Sequence, residues 1–109
     1  MFDVLILNGN LIDGTGSKSV KKDVGIIKDK IEAIGNLKQS SSKVIIDATG
    51  KTISPGFIDT HAHSDASLLI DPIHENGIRQ GITTEILGQD GLSYAPLSKE
   101  NYLINKNYL

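Results

Sequence analysis

The chain has 109 residues, the size of one ordinary domain, with 39% hydrophobic and 22% charged residues, a globular composition rather than a disordered one. A net charge of −2 and a pI near 5.8 argue against a basic face for nucleic acid, and no apolar run approaches the roughly 20 residues of a membrane span. Cysteine is absent, which excludes disulfides and thiolate metal ligands.

The opening "MFDVLILNGN" holds Asp3 and no Lys or Arg. It does not read as a secretory signal, and the cytoplasm is the expected compartment. "FDVLIL" is a strand by its apolar, β-branched content, and Asn8-Gly9 after it is a tight-turn signal. Asp23 to Gly35 has two apolar halves around a charged centre, Lys28-Asp29-Lys30, which is a hairpin pattern. "LKQSSSK" is polar and predicts a solvated connection. "KVIIDATGKTIS" then predicts one more strand, a turn at Gly50 and a return. No helical periodicity occurs before about Ser54, so residues 1–53 are expected to form a small antiparallel β unit.

The character changes at Pro55-Gly56. "GFIDTHAH" predicts a strand and "SLLIDPIHENGIRQG" a helix, with Asp71 as N-cap, Pro72 at the first helical position and Gly81 as the stop. Glu75 and Arg79 lie four apart and can pair, while Gly77 weakens the helix by up to ~1 kcal/mol relative to alanine. "ITTEIL" (82–87) predicts a buried strand. Strand, helix and strand make a β-α-β unit of a parallel sheet, and Ser98 opens a final helix.

Alternation along the strand turns Asp59, His61 and His63 to one face, so two imidazoles project together at its C-terminal end. A right-handed crossover brings the loop "GQDGLSYAP", with Asp90, to the same edge, where function collects in α/β sheets and barrels. Two His and one Asp suit zinc, manganese or iron. Each piece also has a plainer reading. His61 and His63 fit hydrogen-bonded core histidines, Asp90-Gly91 fits a tight turn, Asp65 fits a loop cap, and His74 fits a surface position. "GTG" at 14–16 lacks the lysine of a phosphate loop, and Tyr94, Tyr102 and Tyr108 form no base-stacking set.

"GKTISPGFIDTHAHSD" closely resembles the strand-one signature of the amidohydrolase superfamily, P-G-x-I-D-x-H-x-H. The strands before it resemble the N-terminal β-sandwich of that superfamily. "DGTG" and "GITTEILGQDGLSYAPLS" narrow the resemblance to the N-acyl-D-amino-acid deacylases, and it runs from Phe2 to about Ser98. The resemblance implies α/β architecture with an all-β N-terminal part. Residues 1–53 would be a small β-sandwich and 54–109 the first β-α-β of a truncated TIM-like barrel. It implies metal-dependent hydrolysis of a non-peptide amide, with Zn2+ as cofactor, as one or two divalent ions. His61 and His63 match the strand-one metal pair, and Asp90 stands where relatives often carry a cysteine ligand. Gly88, Gly91 and Ser93 match the loop where substrate is touched.

The further histidine ligands and the general-base aspartate of relatives correspond to positions beyond Leu109, so no catalytic residue is assigned within the chain. It is accordingly expected to be an N-terminal portion, inactive alone. Expected partners are a small N-acyl amino acid, and a complementing C-terminal chain or further copies of this one. Nucleic acid and membrane are not among them. The rival readings are a cyclic-amide hydrolase of hydantoinase or dihydroorotase type, and a non-catalytic remnant or docking module.

Overall fold

A computed structural model describes residues 1–107. They fall into two compact units, divided between Pro55 and Gly56. The architecture is α/β with an all-β N-terminal unit.

The first unit holds β1 (Phe2–Leu7), β2 (Asn10–Leu11), β3 (Val20–Lys21), β4 (Asp23–Ile27), β5 (Lys30–Gly35), β6 (Ser42–Asp47) and β7 (Thr52–Ile53). One sheet has the order β5-β4-β1-β6 and a second the order β3-β2-β7. The β4–β5 hairpin forms as the charge pattern predicts, with Lys28 in the left-handed region at its turn (φ 56°). One expectation is corrected. The unit is not purely antiparallel, because β6 pairs with β1 in parallel and β7 pairs with β2 in parallel. The turn at Asn8-Gly9 forms, without making a hairpin between β1 and β2. Asn8 takes a φ of 64° and passes the chain from one sheet to the other. The parallel pairings follow from that crossing: β6-turn-β7 repeats the step of β1-turn-β2 alongside it, strand by strand. Gly9 is required where the step passes Ile53, since a Cβ there would overlap the Ile53 side chain.

The buried side chains of this unit are few: Leu5, Leu11, Val24 and Ala48, together with the carboxylate of Asp23. Asp23 accepts the Asn8 N–H at 2.8 Å on one oxygen and the Leu37 N–H at 2.8 Å on the other. The Asn8 amide group donates to Asp47 at 3.0 Å. Burial pushes the Asp23 carboxyl up, but the two backbone donors, with Lys38 nearby, outweigh it and hold it below the ordinary aspartate value.

The second unit holds β8 (Phe57–Asp59), α1 (Ser67–Ile70), α2 (Glu75–Arg79), β9 (Ile82–Glu85), a single 3-10 turn at Gln89–Gly91 and α3 (Lys99–Asn105). β8 and β9 pair in parallel, with Asp59 opposite Glu85. The expected β-α-β connection is therefore present, though its helix comes in two pieces. Asp71 ends α1 at φ −121° instead of capping a helix, and its carboxylate accepts the Ile73 N–H at 3.2 Å. Proline is the reason: the residue before it is driven out of the helical region. His74, left-handed at φ 50°, precedes α2. Glu75 and Arg79 pair as expected, with Arg79 Nε 3.0 Å from Glu75 Oε1. Gly81 ends the helix at φ 84°. β9 is not buried as the run "ITTEIL" suggests: Thr83 and Thr84 are exposed, and the strand ends at Glu85. Ser98 caps α3, its hydroxyl accepting the Asn101 N–H at 3.1 Å. Tyr108 and the end of the predicted last helix lie outside the described residues. No helix among the described residues is long and apolar enough to cross a membrane.

Candidate metal centre

β8 is shorter than the sequence suggests. It ends at Asp59, so simple alternation does not carry His61 and His63 to a common face. The chain bends instead. The Asp59 carboxylate accepts the His61 N–H at 3.0 Å, while Ile86 N–H donates to the Asp59 carbonyl and Ala62 N–H to Ile86 O at 3.3 Å. Those bonds hold the post-strand segment against the end of β9. Ala62 is buried at 6% exposure and turns inward, which leaves the imidazoles on either side of it facing out.

The two rings meet edge to face, with centroids 5.2 Å apart. Asp90 Oδ2 lies 3.0 Å from His61 Nε2 and 3.3 Å from His63 Nε2. One atom from each of the three residues falls within 4.8 Å of the others. Asp90 reaches this point from the 3-10 turn by taking a left-handed φ of 55°, flanked by Gly88 at φ 80° and Gly91 at φ 81°. A run of left-handed residues favours glycine, and aspartate is among the side chains that tolerate it best. The loop is pinned by Asp65, whose carboxylate accepts the Gly88 N–H at 3.2 Å. Asp65 thus ties two loops together, beyond the simple cap that its position suggests.

Two imidazole nitrogens and one carboxylate oxygen are a donor set for a divalent cation of borderline hardness. Bonds of about 2.0–2.2 Å at tetrahedral angles place neighbouring ligand atoms about 3.4 Å apart, and octahedral angles place them about 3 Å apart. Both Asp90 separations fall in that range, so the residues present fit a metal. All three residues are exposed.

Gly91 and Ser93, expected to touch substrate, line a cavity of about 410 Å3 together with His63, Asp65, Leu92 and Tyr94. The Ser93 hydroxyl donates to the Ala95 carbonyl at 2.7 Å. His74 is not at the surface as its helix position suggests. Its side chain is 25% exposed, and Nε2 lies 2.7 Å from Oε1 of Glu85, itself 10% exposed. The sequence signal for that pair is a lone Glu in a strand of β-branched residues, which calls for a partner.

The profile of the amidohydrolase family matches residues 44–108, more than half of the chain. D-aminoacylase of Alcaligenes xylosoxydans xylosoxydans is 40% identical over 100 residues, 92% of this chain and 21% of the relative. A solved structure of D-aminoacylase with a binuclear metal centre superposes with a TM-score of 0.82 at 44% identity, over 89% of this chain and 20% of that one. N-acyl-D-glutamate deacylase from Bordetella bronchiseptica, solved with zinc and a phosphonate inhibitor, gives a TM-score of 0.81 at 40% identity, over 87% and 20%. The chain belongs to the amidohydrolase family. It spans about a fifth of the length of the relatives it matches.

Proposed function

We propose that the chain supplies the β8–β9 metal ligands of an enzyme that removes the acyl group from N-acyl-D-amino acids by hydrolysis. The observation that carries this reading is the convergence of His61, His63 and Asp90 at the C-terminal edge of a parallel strand pair. It is supported by similarity over nine-tenths of the chain to deacylases of D-amino acids.

In this reading His61, His63 and Asp90 would hold one or two divalent ions, with Zn2+ first. A divalent ion bound there supplies Lewis acidity for activating water and polarising the acyl carbonyl. The chain's own residues position and select. Asp59 fixes the His61 backbone, and Asp65 fixes the glycine that opens the Asp90 loop. Leu92, Ser93 and Tyr94 offer the substrate a wall with apolar, hydroxyl and phenol groups beside His63. Residues 1–53 serve as the β-sandwich part and 54–109 as the start of the barrel. The cytoplasm is the compartment of this reading, and a small N-acyl amino acid is the partner.

Turnover of a panel of N-acetyl-D-amino acids, N-acetyl-L-amino acids and hydantoins by the full-length gene product tests the proposal. Release of free D-amino acids, abolished by His61→Ala with His63→Ala, is the expected result. Hydrolysis of the cyclic amides alone, or turnover untouched by the double substitution, overturns it.

A further inference from the structure

The peptide unit between Thr60 and His61 is held at both ends by side chains. Its N–H donates to the Asp59 carboxylate at 3.0 Å, and its carbonyl accepts the Gln89 side-chain amide at 3.2 Å. A peptide unit is planar, so fixing both polar groups stops it from rocking, and His61 Cα rides on its end. The same Gln89 nitrogen donates to the Ile86 carbonyl at 3.3 Å. A primary amide has two N–H groups, and both are placed on carbonyl oxygens. Turned the other way round, the amide would set its own oxygen against those two oxygens, which decides its orientation. Ile86 O also takes the Ala62 N–H at 3.3 Å, so the residue between the two imidazoles is tied to the same atom.

We propose that Gln89 is a positioning residue of the metal centre, latching the loop of Asp90 to the peptide that carries His61 and so setting the separation of those two ligands. The inference rests on the reading of His61, His63 and Asp90 as metal ligands. Gln89 adjoins Asp90 and Thr60 adjoins His61, so one hydrogen bond spans 29 positions of sequence between the neighbours of two ligands. With that bond in place, Asp90 Oδ2 stands 3.0 Å from His61 Nε2. A simple turn cap needs only the bond to Ile86, three residues back. The bond to Thr60 adds nothing to the turn itself and reaches the segment on which His61 sits.

The loop needs such a restraint. Asp90 is left-handed at φ 55°, in a run with Gly88 at 80° and Gly91 at 81°, and a non-glycine residue keeps that conformation where its surroundings impose it. Two latches impose it here, and they differ in what they hold. Asp65 grips the loop at its entrance, through the Gly88 N–H, whereas Gln89 grips the backbone beside the opposite ligand. All of these bonds are made between residues 59 and 89, and none needs a surface that is free of partners.

Two measurements on the full-length gene product test this: Zn2+ affinity by competition with a chelating dye, and the visible spectrum of the Co2+-loaded protein, whose ligand-field bands report ligand geometry. Gln89→Met keeps the length of the side chain and removes both donors. It should weaken Zn2+ binding about tenfold and shift the Co2+ bands, with unchanged circular dichroism. Gln80→Met is the matched control. It also takes an amide donor from a carbonyl of the same unit, Asn76 O at 3.0 Å, and should leave affinity and spectrum as in the parent. Should Gln89→Met fail to fold, Gln89→Glu carries the test. It keeps the shape but turns acceptors toward the two carbonyls, and should weaken binding even though a negative charge near a cation by itself tightens it. His61→Ala separates this inference from the metal reading. If it leaves Zn2+ affinity unchanged, the reading fails and the inference with it. If it abolishes binding while Gln89→Met matches the parent, the inference alone is overturned. Gln89→Glu binding as tightly as the parent, or Gln80→Met losing as much as Gln89→Met, overturns it likewise.

Discussion

His74 and Glu85, eleven positions apart, meet side chain to side chain across the second unit, with Nε2 2.7 Å from Oε1. The contact needs a gap at Gly77, where a Cβ would lie 2.4 Å from the same Nε2. His74 itself is left-handed, at φ 50°, at the start of α2. The pair is incompletely satisfied, because Glu85 Oε2 is buried without a partner. Removing one partner should therefore cost more than removing both. His74→Ala is expected to destabilise by about 2–4 kcal/mol, leaving a mostly buried carboxylate alone. His74→Phe combined with Glu85→Leu should lie within about 1.5 kcal/mol of the parent. Urea unfolding of the two singles and the double measures the coupling. Additive single effects would contradict the pairing.

Acid should loosen the first unit through Asp23. Its folded carboxyl lies below the unfolded value of about 3.9 despite burial, because the Asn8 and Leu37 amides favour the charged form. A depressed folded value means that the stabilisation is present above about pH 4 and lost as the pH falls through the folded value. Asp23→Asn presents one carbonyl oxygen to two N–H donors and should cost about 2–3 kcal/mol at neutral pH. It should also flatten the dependence of stability on pH below about 4. Denaturant midpoints from pH 2 to 7 for both proteins check the sign. An identical acid slope in the variant would assign the acid sensitivity elsewhere.

Much of this fold is legible because local chemistry decides it. The charged centre of Asp23–Gly35 and Ser98 before α3 each act within a few residues, and both appear as read. The signature around His61 and His63 is legible for the same reason, and Asp90 follows from one crossover rule. What sequence alone misreads depends on distant pairings. Nothing within "KVIID" says that β6 runs parallel to β1, and period-2 logic overextends β8 because the Asp59 carboxylate captures the His61 amide. His74 reads as a surface residue until Glu85 is placed beside it.

Metal affinity should follow the three convergent side chains unequally. His61→Ala or His63→Ala is expected to weaken Zn2+ binding to the chain by more than about 100-fold, the most that losing a merely supporting contact costs. Asp90→Asn keeps the shape and an oxygen donor but removes the charge, so its loss should be smaller than either histidine's. Competition with a chelating dye ranks the variants without relying on turnover. Equal affinity in all of them would remove the cluster as a site.

The loop that carries Asp90 allows a separation of stability from placement. Gly91 has φ 81° and Gly50 has φ 74°, and at both a Cβ would have nothing within 4 Å. Gly91→Ala and Gly50→Ala should therefore cost a similar amount, about 1–2 kcal/mol, for purely conformational reasons. Their effects on metal binding should differ. Gly91 adjoins Asp90, so relaxing its φ moves the carboxylate off the imidazoles, and Zn2+ affinity should fall about fivefold to tenfold. Gly50 turns the chain between β6 and β7 in the first unit, and its substitution should leave Zn2+ affinity unchanged. Asp65→Ala, which frees the Gly88 amide, should resemble Gly91→Ala in affinity. Matching affinity losses at Gly50 and Gly91 would mean that global stability, not the set of the loop, governs binding.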